Sequence, residues 1–482
     1  MRDHPLEPST FEMRAMGATA LALVEEFIRD LPDAPVADLD GAMEVADSLR
    51  ESAPEHGTSF ETLLDTVAIS AKKSINGSGP GFLAYIPGGG LYTSALADLI
   101  AAGLNRYVGL AGMAPAIAQI EATTVRWLCD MFDYPEQARG VLTSGGSMAN
   151  FSAVVTARKA KLDEDFSTGV LYTSAQAHAS CVKAGYLAGF PKARVRLVPA
   201  DDALRMDVAA LAAMVAADRA AGLRPFMITA SAGTTNTGSV DPIARIGDFA
   251  RANDLWLHVD AAYGGPFRMT DHGRTLFHGI ELADSITLDP HKALFVPYGT
   301  GALIVRDGAR LRAAHHVSAD YLQDLTGLEE QIPSFSEYSM ELSRDFRGLR
   351  LWLPIKLHGM AAFRDALDEK LALTRYLYDN LTGTPGFEVP LEPDLTTVAF
   401  RYVPQHGDAD EFNRRLLHRI NASKRIFLSS TILDGNFVIR VCIVSHRTHF
   451  DRIEEAARII KSAAYDLERY ERMSAPVAAV PG

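Results

Sequence analysis

Seven short apolar runs between Gly140 and Val305 constrain the fold more than any other feature of this chain. They are GVLT (140–143), GVLYTS (169–174), RVRLV (194–198), FMITA (226–230), LWLHV (255–259), SITL (285–288) and GALIV (301–305). Stretches with helical periodicity separate most of them. The runs are bounded by Gly, Asp or Ser and mostly lack polar alternation, the pattern of strands buried on both faces. Strands that alternate with helices in this way predict an α/β fold, a mainly parallel central sheet covered by helices. In such sheets ligands bind in the loops beyond the carboxyl ends of the strands. The unusual residues of this chain stand in those loops.

The chain has 482 residues, beyond the roughly 250–300 at which a single core stops growing, so more than one packed unit is expected. Its net charge of −13 argues against a phosphate backbone or an anionic lipid surface as main partner. Cys129, Cys181 and Cys442 are far apart and form no CxxC pair, which encodes neither a disulfide framework nor a cysteine zinc site and fits a reducing cytoplasm. The start of the chain has charges of both signs and no apolar run before a cleavage site, so it does not read as a signal peptide. The greasiest stretch, Tyr92 to Leu104, carries Asp98 and falls short of the about 20 apolar residues a membrane span needs. Residues 11–31 place Met16, Leu23, Val24, Phe27, Ile28 and Leu31 at helical spacing. That stripe needs another surface to cover it, a second subunit being one candidate. The Ala/Pro-rich tail after Met473 has little to bury.

Four loops carry the chemistry. TSGGSMANF (143–151) joins a strand to a helical run. Its glycines permit close approach, Ser147 offers a hydroxyl and a helix cap, and free N–H groups at the helix start suit an anion; an ordinary capped turn has the same composition. No lysine follows at the position a nucleoside triphosphate loop requires. SAGTTNTGSVDP (231–242) is rich in hydroxyls, as a well-satisfied connection also is. In HVDAAYGG (258–265), Asp260 ends a buried strand, where a carboxylate is costly unless a cation or donors face it; a salt bridge to an arginine would serve equally. In SITLDPHKALFVPYGTGALIVR (285–306), Lys292 is followed by Ala293, Leu294, Phe295 and Val296. Such apolar neighbours would drive it to lose its proton and make it a nucleophile, whereas the bland alternative is a snorkelling lysine. A metal site at His258, Asp260 and His291 lacks the spacing of familiar zinc ligands, and no metal is expected.

Together the loops ask for one ligand with a phosphate for Ser147, a cationic ring nitrogen for Asp260 and an aldehyde for Lys292. Pyridoxal 5′-phosphate has all three. FLAYIP (82–87), GGSMAN (145–150), QAHAS (176–180), AGTT (232–235), HVDAAY (258–263), DPHK (289–292) and IRVCIVSHRT (439–448) follow in order along nearly the whole chain. In these pieces the sequence resembles the group II pyridoxal-phosphate-dependent amino-acid decarboxylases, the family of aromatic-L-amino-acid and glutamate decarboxylases.

The resemblance implies fold type I of the pyridoxal-phosphate enzymes, the aspartate-aminotransferase-like fold. It implies a homodimer whose subunits comprise an N-terminal helical segment (1–90) packed on the partner, a large cofactor domain (91–358) and a small C-terminal α/β domain (359–482). It implies Lys292 as the amine that takes the cofactor's aldehyde and Asp260 as the partner of the ring nitrogen. His178 matches the histidine on one ring face, Ala262 the small residue on the other, and Thr235 a polar neighbour. Gly146, Ser147 and His291 fall where the phosphate is held, with Asp289 nearby. Tyr321, in the long polar segment 315–341, falls where the family has a proton-donating loop tyrosine. Two departures stand out: relatives commonly read NPHKW where this chain has DPHKA, placing Asp289 near the phosphate and opening space at Ala293. Tyr85 and Tyr107 remain as aromatic walls for a substrate, and Arg106 keeps an acidic one in view. The expected reaction is decarboxylation of an L-amino acid, preferably aromatic, to its amine. Rivals are an acidic or other non-aromatic substrate, release of an aldehyde on the same scaffold, and a cofactor-free binding protein.

Overall fold

The computed structural model describes residue 4, residues 6–317 and residues 332–474. Each of the seven apolar runs is a strand: β1 (Arg139–Thr143), β2 (Gly169–Ser174), β3 (Val195–Val198), β4 (Arg224–Ser231), β5 (Trp256–Asp260), β6 (Ser285–Leu288) and β7 (Gly301–Val305). They form one sheet in the order β1-β7-β6-β5-β4-β2-β3. The pairs from β3 to β6 are parallel, while β7 runs antiparallel to both β6 and β1. β2, β5, β6 and β7 are buried at every residue, which accounts for their unbroken apolar character. The antiparallel step follows from the segment between β6 and β7, which holds no helix to carry a crossover. Because β1 and β6 both oppose β7, they point the same way, and the loop after β1 ends on the same side as the loop after β6.

The helix Gly146–Lys161 lies against β6, β7 and the helix Ala179–Leu187. Below the carboxyl ends of the strands, Val259, Ile286, Leu288 and Ile304 pack with Phe132, Phe267 and Phe277 in the main core. A second, antiparallel sheet of β8 (Phe387–Glu388), β9 (Thr397–Tyr402), β10 (Ser429–Leu433) and β11 (Asn436–Cys442) has the order β10-β11-β9-β8. It has its own core, in which Phe400 and Ile439 meet Phe412 and Leu416 of the helix Ala409–Ala422 and Ile453 and Ile460 of the helix Phe450–Ser474. The long helix Leu349–Thr382 links the two bodies and breaks at Gly359, where φ is 75° and ψ 154°. Before the break it packs on the helix Tyr92–Leu104; after it, Leu373, Leu377 and Leu381 join the smaller core.

At the N-terminus, Ser9 and Glu12 form a capping box that starts the helix Thr10–Asp30. Of the predicted stripe, Met16, Val24 and Phe27 are exposed, Leu23 and Ile28 are half-buried, and Leu31, just past the helix, is buried; Phe11, Met13 and Leu21 are exposed on the same helix. The helix Phe60–Lys72 likewise has no buried residue. Among the described residues, no helix is long and apolar enough to cross a membrane.

Candidate active site

The loops beyond β1, β2, β4, β5 and β6 converge on one cleft of about 310 Å³. Gly146, Ser147, His178, Thr235, Asp260, Ala262, Asp289, His291 and Lys292 all line it. Residues from five separate sequence motifs are thus brought together by sheet topology, each delivered by the end of its strand.

Asp260 is the last residue of β5 and is 8% exposed. Its Oδ1 accepts from the Ala262 backbone N–H at 3.1 Å; its Oδ2 accepts from Asn150 Nδ2 at 3.0 Å and from the Cys181 thiol at 3.2 Å. Burial pushes the carboxyl's pKa up, but the Lys292 charge and these donors outweigh it and hold the group below its ordinary value. The expected cationic or protonated surroundings are met by donors and a lysine rather than by an arginine. Cys181, by contrast, is driven well above its ordinary value by burial and then by the Asp260 charge, so its thiol keeps its proton. His258, two residues back on β5, is lowered to about 4, chiefly by burial. The stability this neutral ring contributes is fully present above pH 6.5, its ordinary value, and declines as pH falls toward 4. Its nitrogens face Ser285 Oγ at 2.9 Å and Asn150 Oδ1 at 3.0 Å. Among the described residues, no three His, Cys, Asp or Glu side chains gather as metal ligands.

Lys292 lies in the loop after β6. Ala293, Leu294, Phe295 and Val296 turn into the core, at 2% exposure or less, and do not surround the lysine as its sequence neighbours suggested. Its Nζ instead meets Asp289 Oδ2 at 2.9 Å. The opened space expected at Ala293 is absent, because that residue is packed in the main core and does not line the cleft. His291 Nδ1 sits 2.7 Å from the Thr300 carbonyl, and its Nε2 lies 3.6 Å from Asp289 Oδ2; burial lowers its pKa.

The turn after β1 departs from expectation in one respect. Gly145, not Ser147, occupies the cap position, and no side chain caps the helix Gly146–Lys161. Gly145 has φ 153° and ψ 173°, a conformation essentially reserved for glycine. A Cβ on Gly146 would stand 2.9 Å from Asp289 Oδ2, so the turn is a cradle that only glycine leaves open. With no capping side chain, the N–H groups of the first helical turn are left free to receive an anion.

His178 caps the helix Ala179–Leu187, its Nδ1 accepting from the Ser180 N–H at 3.2 Å. Thr235 and its neighbour Asn236 are braced by Arg440 of β11, whose guanidinium donates to both backbone carbonyls, at 2.7 Å for Asn236. This gives the C-terminal motif a place in the site. Tyr85, Arg106 and Tyr107 do not line this cleft: Tyr85 and Arg106 are exposed, and the Tyr107 hydroxyl donates to the Leu342 carbonyl. Tyr321 lies outside the described residues. The sequence reading missed Asn150, Ser180 and Cys181 as site residues, although the first two stood inside the motifs GGSMAN and QAHAS.

The chemistry of these groups fits pyridoxal 5′-phosphate. The glycine cradle, with no capping side chain in it, suits a phosphate, and the negative charge of Asp289 at its edge is met by Lys292 Nζ at 2.9 Å. A strongly held carboxylate at Asp260 suits a protonated ring nitrogen, and Lys292 suits an aldehyde.

Comparison with known proteins agrees. The family model described as the pyridoxal-dependent decarboxylase conserved domain matches residues 43–403. The chain is 35% identical over 468 residues to the aromatic-L-amino-acid decarboxylase of Bacillus atrophaeus, covering 96% of this chain and 97% of that protein. It is 28% identical over 472 residues to the phenylacetaldehyde synthase of Arabidopsis thaliana, with 94% and 96% covered. The crystal structure of Oryza sativa TDC with PLP and tryptamine superposes with a TM-score of 0.91 at 27% identity, over 97% of this chain and 100% of that one. Fold, cleft and family match lead to one conclusion: the chain belongs to the pyridoxal-dependent decarboxylase family and is an amino-acid decarboxylase that uses pyridoxal 5′-phosphate.

Proposed function

We propose that the protein converts an aromatic L-amino acid to its amine and carbon dioxide. The observation that carries this reading is the convergence of Asp260, Lys292, His178 and the Gly145–Ser147 turn on one cleft. Bound pyridoxal phosphate supplies an electron sink for the pair left on Cα when carboxylate departs. The remaining work falls to the chain. Lys292 is the amine that would hold the cofactor through its aldehyde carbon. Asp260, a fixed acceptor, keeps the ring nitrogen protonated. Ala262, His178 and Thr235, which line the same cleft, would hold the cofactor's ring, the small Ala262 and the His178 imidazole serving its faces and Thr235 its edge. Gly146, Ser147 and His291 hold the phosphate, with Asp289 at its margin. Tyr321 returns a proton to Cα, a role that rests on the family resemblance.

The aromatic preference draws support from the substrates in the relatives' names and from the segment bearing Tyr85. That residue holds φ 53°, a costly value for a bulky side chain, and is 60% exposed, while Ser429 and Arg440 bond its peptide groups. A tyrosine held outward at this cost suits a wall of a neighbouring subunit's cleft, alongside Tyr107 and Arg106. The assembly is accordingly a homodimer, and the uncovered apolar residues of the helices Thr10–Asp30 and Phe60–Lys72 are its natural contact. Of the divisions 1–90, 91–358 and 359–482, the boundary between the last two is supported by the break at Gly359. A cytoplasmic setting suits three cysteines that are all buried free thiols. Light scattering is expected to give twice the chain mass; an active monomer overturns the assembly.

Carbon dioxide release and product analysis over a panel of L-amino acids test the reaction. Aromatic substrates are expected to give amine, with glutamate and aliphatic residues poor. Preference for an acidic substrate, or aldehyde as main product, overturns the proposal. In the same assay Tyr321→Phe is expected to cut amine formation about 10²–10⁴-fold with cofactor still bound. An unchanged rate assigns the proton to another group, His178 first.

A further inference from the structure

Asn150 is 2% exposed, and its side-chain amide is satisfied by residues of two other elements, β5 and the helix Ala179–Leu187. Donor directions around it are forced. Trp256 Nε1, which can only donate, gives its hydrogen to Ser285 Oγ at 2.8 Å. The Asp260 carboxylate, which only accepts, draws Asn150 Nδ2 to itself and so turns Oδ1 toward His258 Nε2 at 3.0 Å; a neutral ring then carries its hydrogen on Nε2 and accepts from the Ser285 hydroxyl at Nδ1, 2.9 Å away. With its oxygen so engaged, Asn150 directs one N–H to Asp260 Oδ2 and the other to Ser180 Oγ, each at 3.0 Å. Ser180 passes its own hydrogen to His178 Nδ1 at 2.7 Å, which already accepts the Ser180 backbone N–H, so the hydrogen of a neutral His178 lies on Nε2. Every step from Trp256 to His178 has a donor and an acceptor, and reversing any one leaves two donors or two acceptors face to face.

We propose that Asn150 is a positioning residue for the decarboxylation reaction: its amide joins the acceptor Asp260 and the cleft histidine His178 into one hydrogen-bonded unit, set from behind by His258. This rests on the roles given above to Asp260 and His178. The neutral state of buried His258 is consistent with the chain of donors.

The test uses the holoenzyme of Asn150→Ala, His258→Ala, His258→Gln and Asp260→Ala, with pyridoxal phosphate as the probe. The readouts are its dissociation constant and the pH profiles of its visible absorption band and of kcat/KM. Loss of one hydrogen bond to a charged acceptor predicts that Asn150→Ala weakens cofactor binding about tenfold and displaces both pH profiles. His258→Ala is expected to move them in the same direction, and His258→Gln, whose amide can still donate to Asn150 Oδ1, to restore them. Cofactor affinity and pH profiles unmoved in Asn150→Ala while Asp260→Ala weakens binding overturn the inference alone. Both variants unmoved overturn the role of Asp260 as well. If Asn150→Ala does not fold, the His258 pair decides: equal behaviour of its alanine and glutamine variants overturns the proposal.

Discussion

Lys292→Ala is expected to abolish turnover while the protein stays folded. The variant loses covalent attachment and the amine that exchanges with substrate, and general acid–base help alone accounts for about 10²–10⁴ in rate, so the loss should exceed that range. Folding should survive because the side chain is 22% exposed and stands in a polar cleft rather than in the core. Its removal has an electrostatic signature too. The Lys292 charge is the largest influence holding Asp260 down against burial, so the Asp260 pKa should rise in the variant. Single-turnover assays with thermal melts check both parts. A folded variant with near-native carbon dioxide release would place the reactive amine elsewhere.

Asp260→Ala is expected to be the second most damaging change, and it should act on cofactor binding first. Removing one partner of a buried charge pair costs about 3–5 kcal/mol, roughly 10²–10³-fold or more in affinity. It also strands the Asn150 amide, the Cys181 thiol and the Ala262 N–H, so a lowered melting temperature is expected as well. Asp260→Asn separates the two effects by keeping the shape while discarding the charge. In the native protein a carboxyl held below its ordinary value of 3.8 adds stability that is fully present above that pH and is lost only as pH falls through its own lower value. Acid melts of native protein and Asp260→Asn should therefore converge only at strongly acid pH. Unchanged cofactor affinity in Asp260→Ala would remove the carboxylate from the ring nitrogen.

The fold was legible because burial leaves a mark on neighbouring residues: GVLYTS, SITL and GALIV coincide with β2, β6 and β7 to the residue. Strand direction leaves no such mark. Nothing in GALIV distinguishes a parallel β7 from an antiparallel one, and only the helix-free stretch before it hints at the answer. Within the site, residues whose chemistry is unusual for their place, such as a carboxylate ending an apolar strand, could be picked out singly. Asn150 could not, since an asparagine near a helix start is ordinary and its partners His258 and Asp260 lie more than a hundred residues away. The helix cap was misassigned to Ser147 because composition does not reveal that Gly145 takes the extended corner. The lysine's surroundings were misjudged because sequence neighbours in a loop can face opposite ways.

The reversed direction of β7 bears on how such a protein can diverge. The turn after β1 and the His178 loop run straight into helices, and helices packed on a sheet can slide by fractions of a turn as their side chains change. The Lys292 loop is instead closed at its base by the β6–β7 ladder, Leu288 facing Ala302 and Ser285 facing Val305. Asp260 is tied to the same ladder through its pairing with Thr287. A strand cannot slip by one residue without turning all its side chains over, so these two groups ride on a common rail whose spacing the helical layers do not control. Mutational drift in those layers can reshape the phosphate grip and the substrate walls, as lineages explore new amino acids, while the lysine and the aspartate keep their separation.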